Sequence, residues 1–204
     1  MSAQTPLLLD LDGVLVDSRA VVARHWGAFA ARHGLRAEAI IPRVHGRRTL
    51  ESIAELAPWL DAEAEADAFD AAEAVDVEGL HAVPGAAEAL RRAGPVAVVT
   101  SGPRALATAR LRAVGLEPPA AMICAEDVSR GKPDPEPYLR GAAALGADPA
   151  GCVVVEDAPA GIAAGVAAGM RVIAISTTHA AADLDGAVRV LDDLVSIERA
   201  LATL

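Results

Sequence analysis

The sequence predicts an α/β fold, in which a doubly wound parallel sheet carries a small all-helical domain inserted after its first strand. Two observations lead to this prediction. Short apolar runs, typical of buried parallel strands, alternate with helical patterns over most of the 204 residues. In contrast, residues 14–83 contain helical patterns and no convincing strand. This stretch is too long for a connection within a sheet, and we therefore expect a separate helical cap.

Six apolar runs are predicted to form the strands of the sheet, and the last of them is the weakest. They cover residues 6–11, 96–100, 121–124, 152–156, 171–176 and 188–191. Helices are predicted between most of them, at residues 84–93, 103–114, 135–145 and 160–168. Because strand and helix alternate, the strands should be parallel and helices should cover both faces. Binding sites in such sheets lie beyond the carboxyl ends of the strands.

The inserted stretch is predicted to hold three helices. The first begins at Ser18, which can cap it, and ends near Gly34; the others cover residues 49–57 and 61–77. We therefore divide the chain into two domains joined by hinges near residues 13–17 and 80–85. The predicted core domain comprises residues 1–13 and 84–204, and the predicted cap domain comprises residues 14–83.

The composition narrows the classes of partner and compartment. A formal net charge of −10 disfavours binding to nucleic acid and to anionic membranes, so we expect neither as a partner. Cys124 and Cys152 lie in apolar stretches, which indicates buried thiols rather than a disulfide or a zinc site. The first residues carry no basic segment followed by a long apolar run, and we expect a cytoplasmic monomer or homodimer.

Asp10 and Asp12 directly follow the first predicted strand. Being two residues apart, their side chains should leave the strand on the same face. Two adjacent carboxylates repel each other, and a bound divalent cation relieves that repulsion. A site rich in carboxylate oxygens suits Mg²⁺. Gly13 then allows a sharp turn just past the pair.

The tetrapeptide at residues 10–13 is a weak signal when considered alone. The same pattern opens a calcium-binding EF-hand loop, but the positions that should supply further oxygen ligands are Val14 and Val21. A second copy at residues 183–186 follows no apolar strand and is interpreted as a surface turn. The apolar strand before Asp10 is therefore the feature that identifies the first copy as a candidate site.

Three further polar clusters are predicted to lie at the carboxyl ends of later strands. Thr100 and Ser101 offer hydroxyl and backbone N–H groups that suit phosphate oxygens, although a simple helix cap is an alternative. Lys132 lies in a proline-bound loop, where a solvated lysine is the alternative. Glu156 and Asp157 end a buried strand, which is costly unless the carboxylates are paired or bind metal. Together these residues provide what phosphoryl transfer requires.

The four clusters, in this order, resemble the motifs of the haloacid dehalogenase superfamily. The matching segments are residues 9–14, 99–101, 131–134 and 155–158. The resemblance covers nearly the whole chain and implies a Rossmann-like core with a helical cap. Within the superfamily the chain is most similar to sugar phosphatases related to 2-deoxyglucose-6-phosphate phosphatase. Residues 44–49 and 153–161 carry that closer similarity.

The resemblance implies a mechanism and a role for each motif residue. Asp10 would attack phosphorus and form an aspartyl-phosphate, and Asp12 would act as the general acid and base. The implied ligands of Mg²⁺ are the Asp10 carboxylate, the Asp12 main-chain carbonyl and the Asp157 carboxylate, with Glu156 in or near the shell. The implied phosphate-binding groups are Thr100, Ser101 and Lys132. The expected activity is that of a phosphoric monoester hydrolase acting on a small phosphate-ester substrate.

Other functions within the superfamily remain open at this point. Dehalogenases lack the second aspartate, so the presence of Asp12 argues against dehalogenation. Sugar-phosphate mutases similar to β-phosphoglucomutase share all four motifs, but they carry a histidine where this chain has Val22; His25 lies nearby. A non-catalytic phosphate-ligand-binding protein would be expected to lack a motif residue, and none is missing.

Basic residues in the predicted cap could select the substrate. His45, Arg47 and Arg48 could reach into the cleft and contact substrate oxygens or a second phosphate. Alternatively, they form a solvated loop that balances the acidic segment at residues 61–78. The sequence alone does not choose between these two interpretations.

Overall fold

The fold comprises eight strands and nine α-helices within residues 4–204, the part of the chain that the computed structural model describes. The strands are β1 (Leu7–Leu9), β2 (Val16–Asp17), β3 (His81–Ala82), β4 (Val96–Val99), β5 (Met122–Ile123), β6 (Val153–Glu156), β7 (Arg171–Ile175) and β8 (Arg189–Leu191). The helices are α1 (Arg19–His33), α2 (Ala37–Val44), α3 (Thr49–Leu56), α4 (Ala62–Val75), α5 (Ala86–Arg91), α6 (Arg104–Ala113), α7 (Glu136–Ala144), α8 (Pro159–Ala167) and α9 (Ile197–Leu201). No helix in the described range is both long and apolar enough to cross a membrane.

Six of the strands form one parallel sheet in the order β5-β4-β1-β6-β7-β8. All six predicted strands and the predicted α/β fold class are therefore confirmed. The first strand lies at the centre, where the order of connection reverses, and β4 and β6 are its neighbours. The segments that follow β1, β4 and β6 consequently lie side by side at one edge of the sheet.

Each face of the sheet has its own apolar cluster. Leu7 and Leu9 belong to the cluster that α5, α6 and α9 cover, and Leu8 belongs to the cluster under α7 and α8. Because both faces are covered, the central strand has no solvent-facing position, which explains its continuous apolar run. Cys124 and Cys152 are buried beside the sheet, as predicted.

Helices α1–α4, which we call the cap helices, pack around a third apolar cluster. It contains three of the chain's few aromatic residues, and the Trp26 and Phe69 rings lie 4.7 Å apart between centroids. Gly34 ends α1 in the left-handed conformation with a φ of 68°, as predicted. Helix α2 was not predicted, because Pro42 within it is typical of a helix break. The division of the chain into two domains stays a prediction.

The expectation of no strand within residues 14–83 is wrong. The short strands β2 and β3 pair antiparallel, with Val16 opposite Ala82 and Asp17 opposite His81. They join the two segments through which the chain enters and leaves the cap helices, where we predicted hinges. Two-residue strands give no periodic pattern in a sequence, so only the long-range pairing defines them.

The expected cap of α1 is also different. Ser18 occupies the capping position, but its side chain makes no capping hydrogen bond to a described residue. Instead, the Asp17 carboxylate accepts hydrogen bonds from the Arg19 backbone N–H at 3.2 Å and from the Arg19 guanidinium at 2.6 Å. The first turn of the cap helices is thus tied to the β2–β3 ribbon.

Candidate active site

The predicted site residues meet at the carboxyl edge of the sheet. Asp10 directly follows β1, Thr100 follows β4 and Asp157 follows β6, while Lys132 comes from the loop before α7. All four are at most 4% exposed. The central position of β1 explains the meeting, because its two neighbours deliver the other residues to either side of Asp10.

Lys132 is fully buried, so the alternative of a solvated loop lysine is wrong. Its ammonium group donates hydrogen bonds to Asp10 Oδ1 at 2.5 Å, to Glu156 Oε1 at 2.6 Å and to the Val99 carbonyl at 3.1 Å. Burial alone would lower the pKa of Lys132, but the carboxylates of Asp10 and Glu156 raise it above its usual value. The lysine is therefore a charged centre between two acids.

Both oxygens of Glu156 accept hydrogen bonds from protein donors. Oε1 accepts from Lys132 and from the Tyr138 hydroxyl at 2.8 Å, and Oε2 accepts from the backbone N–H groups of Asp157 at 2.8 Å and Ala158 at 3.1 Å. A side chain at Gly161 would meet Oε1 at 1.7 Å, so a glycine is required there. Glu156 thus fixes the loop that carries Asp157.

The carboxylates at this edge fit a divalent metal ion. Oxygens of Asp10, Glu156 and Asp157 lie within 4.8 Å of one another, and all three residues are buried. Asp157 Oδ1 is buried without a hydrogen-bond partner in the described part of the chain. Burial, more than the neighbouring carboxylates, raises the pKa of Asp10 to about 7 and that of Asp157 well above its usual value. A bound cation would offset this excess of negative charge.

Asp12 is held by a residue that sequence reasoning missed. Arg110 on α6 donates a hydrogen bond from Nη1 to Asp12 Oδ1 at 2.7 Å and another from Nη2 to Glu73 Oε2 at 3.1 Å. Glu73 lies on α4, and burial raises its pKa to about 7 despite the guanidinium. The sequence contained a signal for this pair, namely a charged residue on the apolar face of a helix. Arg110 follows the buried Leu106 by four residues on α6, and Glu73 follows the buried Phe69 by four residues on α4.

Thr100 and Ser101 lie where a phosphate group could bind. The Thr100 hydroxyl accepts a hydrogen bond from the Gly102 backbone N–H at 3.1 Å. The Ser101 hydroxyl donates to the Gly46 carbonyl at 2.8 Å, which links the core to the loop after α2. Helix α6 begins beyond them at Arg104, whose backbone N–H donates to the Glu126 carboxylate at 3.0 Å, so neither hydroxyl acts as its simple cap.

A cavity of about 60 Å³ lies between the cap helices and the sheet edge. This corresponds to about two water molecules at roughly 30 Å³ each. A larger cavity of about 630 Å³ lies between α5 and α9, but none of the predicted site residues lines it. The smaller cavity is lined by Asp10, Asp12, Val22, His45, Arg47, Glu73, Thr100, Ser101 and Arg110, among others.

The basic residues of the loop after α2 have different surroundings in the structure. His45 and Arg47 line the small cavity, whereas Arg48 does not. Arg47 pairs with Glu55 at 2.7 Å and Arg48 pairs with Glu51 at 3.3 Å, both on α3. These partners lie outside the acidic segment that the alternative interpretation invoked. Contact of Arg48 with the substrate therefore stays a prediction.

His45 faces the core across the cavity. Its ring lies 5.8 Å from that of His179 between centroids, and burial followed by the charge of His179 lowers its pKa. Gly46 has a φ of 74°, and a side chain there would meet the Ala158 Cβ at 2.9 Å. The loop therefore approaches the sheet edge closely only because residue 46 is glycine.

Comparison with known proteins agrees with this geometry. Residues 7–169 match the family model of haloacid dehalogenase-like hydrolases. Hexitol phosphatase A of Escherichia coli is 45% identical over 83% of this chain and 82% of its own length. Glycerol-1-phosphate phosphohydrolase 2 of Saccharomyces cerevisiae is 39% identical over 87% of this chain and 76% of its own length.

The solved structures include a close relative in shape. A hydrolase from Pseudomonas syringae superposes with a TM-score of 0.88 and 26% identity, covering 98% of this chain and 99% of that one. The family match spans β1 to the end of α8, and therefore includes every residue of the four predicted motifs. On this evidence, the chain belongs to the haloacid dehalogenase-like hydrolase family.

Proposed function

We propose that this chain is a Mg²⁺-dependent phosphatase that hydrolyses a small sugar or polyol phosphate through an aspartyl-phosphate on Asp10. The observation that carries the proposal is the buried Asp10 carboxylate, bound to the fully buried Lys132 and lining a cavity that also contains Asp12. The two relatives named above are, by their names, a hexitol phosphatase and a glycerol-1-phosphate phosphohydrolase. Both names support a polyol phosphate as substrate.

In the first half of the reaction, an Asp10 carboxylate oxygen attacks phosphorus and the bond from phosphorus to the substrate oxygen breaks. Lys132 holds Oδ1, so we assign the attack to the other oxygen, Oδ2. Asp12 gives its proton to the departing alkoxide oxygen. The products are the free alcohol and phosphorylated Asp10.

In the second half, Asp12 takes a proton from a water molecule, and the resulting hydroxide attacks phosphorus. The bond between phosphorus and Asp10 breaks, which releases inorganic phosphate and restores both carboxyl groups. Thr100 and the Ser101 N–H hold the phosphoryl oxygens throughout, and Lys132 offsets their negative charge from its position beside Asp10. Mg²⁺ held by Asp10, Asp157 and the Asp12 main-chain carbonyl would neutralise charge on those oxygens.

The residues around Val22 favour hydrolysis over the mutase reaction. Val22 lines the cavity at the position where the mutases carry histidine. His25 cannot replace that histidine here, because its Nε2 lies 2.9 Å from an Asp76 carboxylate oxygen and the residue is not among those that line the cavity. Incubation with β-glucose-1-phosphate and a bisphosphate activator distinguishes the two, since a mutase yields glucose-6-phosphate whereas the proposed enzyme yields glucose and phosphate.

Removal of divalent metal should abolish the proposed activity. We expect phosphate release from a panel of polyol and hexose phosphates to fall by on the order of 10³-fold after chelation, because the carboxylate cluster then repels the anionic substrate. Adding Mg²⁺ back should restore the rate. The measurement is phosphate release at several Mg²⁺ concentrations, with Mg²⁺ binding followed independently by calorimetry. Equal rates before and after chelation would contradict the proposal.

Substitution of Asp12 with asparagine should separate the two halves of the reaction. An amide can neither protonate the leaving alcohol nor take a proton from water, so we expect steady-state turnover to fall by about 10³-fold. An aryl phosphate with a good leaving group should still phosphorylate Asp10 once per enzyme, giving a burst of phenol. Normal multiple turnover in this variant would exclude the assigned role of Asp12.

A further inference from the structure

We propose that Arg110 is a positioning residue for Asp12, and that Glu73 on helix α4 completes the arrangement from the side of the cap helices. The inference rests on the proposed function, in which Asp12 transfers the proton. It adds a bridge of three charged side chains, here called the Asp12–Arg110–Glu73 bridge, that runs from the sheet edge to the cap helices.

The Asp12 carboxylate depends on Arg110 for its orientation. Asp12 lies beyond the end of β1, and its side chain is 26% exposed. Among residues 4–204, the Arg110 guanidinium is the one group that hydrogen-bonds to it, at 2.7 Å. Asp10, in contrast, is bound by the fully buried Lys132. The orientation of Asp12 therefore depends on Arg110.

Burial of the charged Arg110 and Glu73 side chains costs free energy of folding. Its side chain is 4% exposed, and Glu73 is 5% exposed. Within the described residues, Arg110 Nε and Glu73 Oε1 are buried without hydrogen-bond partners. Buried ion pairs with unsatisfied atoms contribute little net stability, and apolar residues of similar volume would pack at least as well. Stability alone therefore does not explain why these charges line the cavity.

Glu73 balances the positive charge that Arg110 brings to the cavity. A lone guanidinium beside Asp12 would add a full positive charge next to the group that must both give and take a proton. In its ionised form the Glu73 carboxylate, which lies 3.1 Å from Arg110 Nη2, offsets that charge. The pair of Arg110 and Glu73 can therefore orient Asp12 while adding little net charge to the cavity.

The bridge between the core and the cap helices also depends on how the substrate enters the cavity. A sugar phosphate is larger than the cavity of about 60 Å³, so we expect the cap helices to move away from the sheet edge when the substrate binds. Glu73 travels with α4, whereas Arg110 and Asp12 stay with the core. The bridge is complete only when the cap helices return, because Glu73 then rejoins Arg110, which holds Asp12 from the core.

The test compares two esters of similar size with different leaving groups. Nitrophenolate leaves 4-nitrophenyl phosphate without protonation, whereas the alkoxide of benzyl phosphate needs a proton from the acid. Because kcat/KM reports the steps up to departure of the alcohol, its ratio for the two esters measures proton delivery by Asp12. We expect Arg110→Gln to lower kcat/KM for benzyl phosphate about 100-fold more than for 4-nitrophenyl phosphate.

A second variant tests the bridge from the side of the cap helices. Glu73→Gln keeps the size of the side chain and should give a selective loss of about tenfold in the same direction. Matched controls are Arg112→Gln, at an exposed position of α6, and Glu63→Gln, at an exposed position of α4. Neither control should change the ratio of the two esters.

The outcomes are distinguishable. A variant that merely folds poorly lowers kcat/KM for both esters by the same factor. If Arg110→Gln and Glu73→Gln each lowered kcat/KM for benzyl phosphate and for 4-nitrophenyl phosphate by the same factor, the inference would be overturned. In an Asp12→Asn background, Arg110→Gln should cause no further selective loss, because both act on the same step. If the wild-type enzyme with Mg²⁺ releases phosphate from no member of the panel of polyol and hexose phosphates, the proposed function fails and the inference fails with it.

Discussion

Asp10→Asn should abolish turnover of every phosphate ester while leaving the chain folded. The amide cannot attack phosphorus, so we expect a loss on the order of 10⁵-fold, as for other enzymes that lose their nucleophile. The substitution keeps the volume of the side chain and an oxygen that can accept the hydrogen bond from Lys132. Steady-state phosphate release measures the loss, and circular dichroism with thermal unfolding checks the fold.

The chain offers a matched control for this variant. Asp183 begins the second Asp-x-Asp-Gly segment, is exposed, and lies in a short 3₁₀ turn far along the sequence from β1. Asp183→Asn should therefore retain full activity. If Asp10→Asn retained more than a trace of activity, the nucleophile would have to be a different residue.

Lys132→Met should cost both stability and activity. The lysine is the shared partner of two buried carboxylates, and its removal leaves Asp10 and Glu156 facing each other without a cation. Breaking a buried ion pair from one side costs about 3–5 kcal/mol, so we expect a loss of that size in the free energy of unfolding. Activity should fall by about 10²- to 10³-fold, because a charge that offsets that of the phosphoryl oxygens is gone.

Urea unfolding of metal-free protein measures the stability of this variant, and kcat/KM measures its activity. Arg130→Met is the matched control, since Arg130 is two residues away, is 73% exposed and pairs with Asp134 at the surface. That control should change the free energy of unfolding by less than about 1 kcal/mol. Wild-type stability in Lys132→Met would contradict the role of the lysine as the charged centre of the carboxylate cluster.

The elements that sequence reasoning predicted are those that local pattern determines. The strand before Asp10 is a continuous apolar run because both faces of the sheet are covered, and that property is readable without the structure. The family prediction is confirmed for the same reason, since the four motifs follow such strands. Residue roles, Mg²⁺, the oligomeric state and the cytoplasmic location stay predictions.

The elements that were missed depend on contacts between distant residues. The β2–β3 ribbon joins residues more than sixty positions apart and is too short to carry a pattern. The importance of Arg110 appears only when α4 and α6 are brought together, because its partners come from the sheet edge and from a cap helix. Similarly, only the fold distinguishes Arg47, which lines the cavity, from Arg48, which does not.

The ribbon also has a consequence for the prediction that the cap helices select the substrate. Asp17 and His81 are opposite each other in β2 and β3, so the two ends of the intervening segment lie side by side. A segment with adjacent ends can be replaced by another whose ends are equally close, without stretching the sheet or rerouting its connections. Residues 18–80 can therefore be exchanged as one segment. We expect that grafting the corresponding segment of a relative onto this core transfers the substrate preference of that relative.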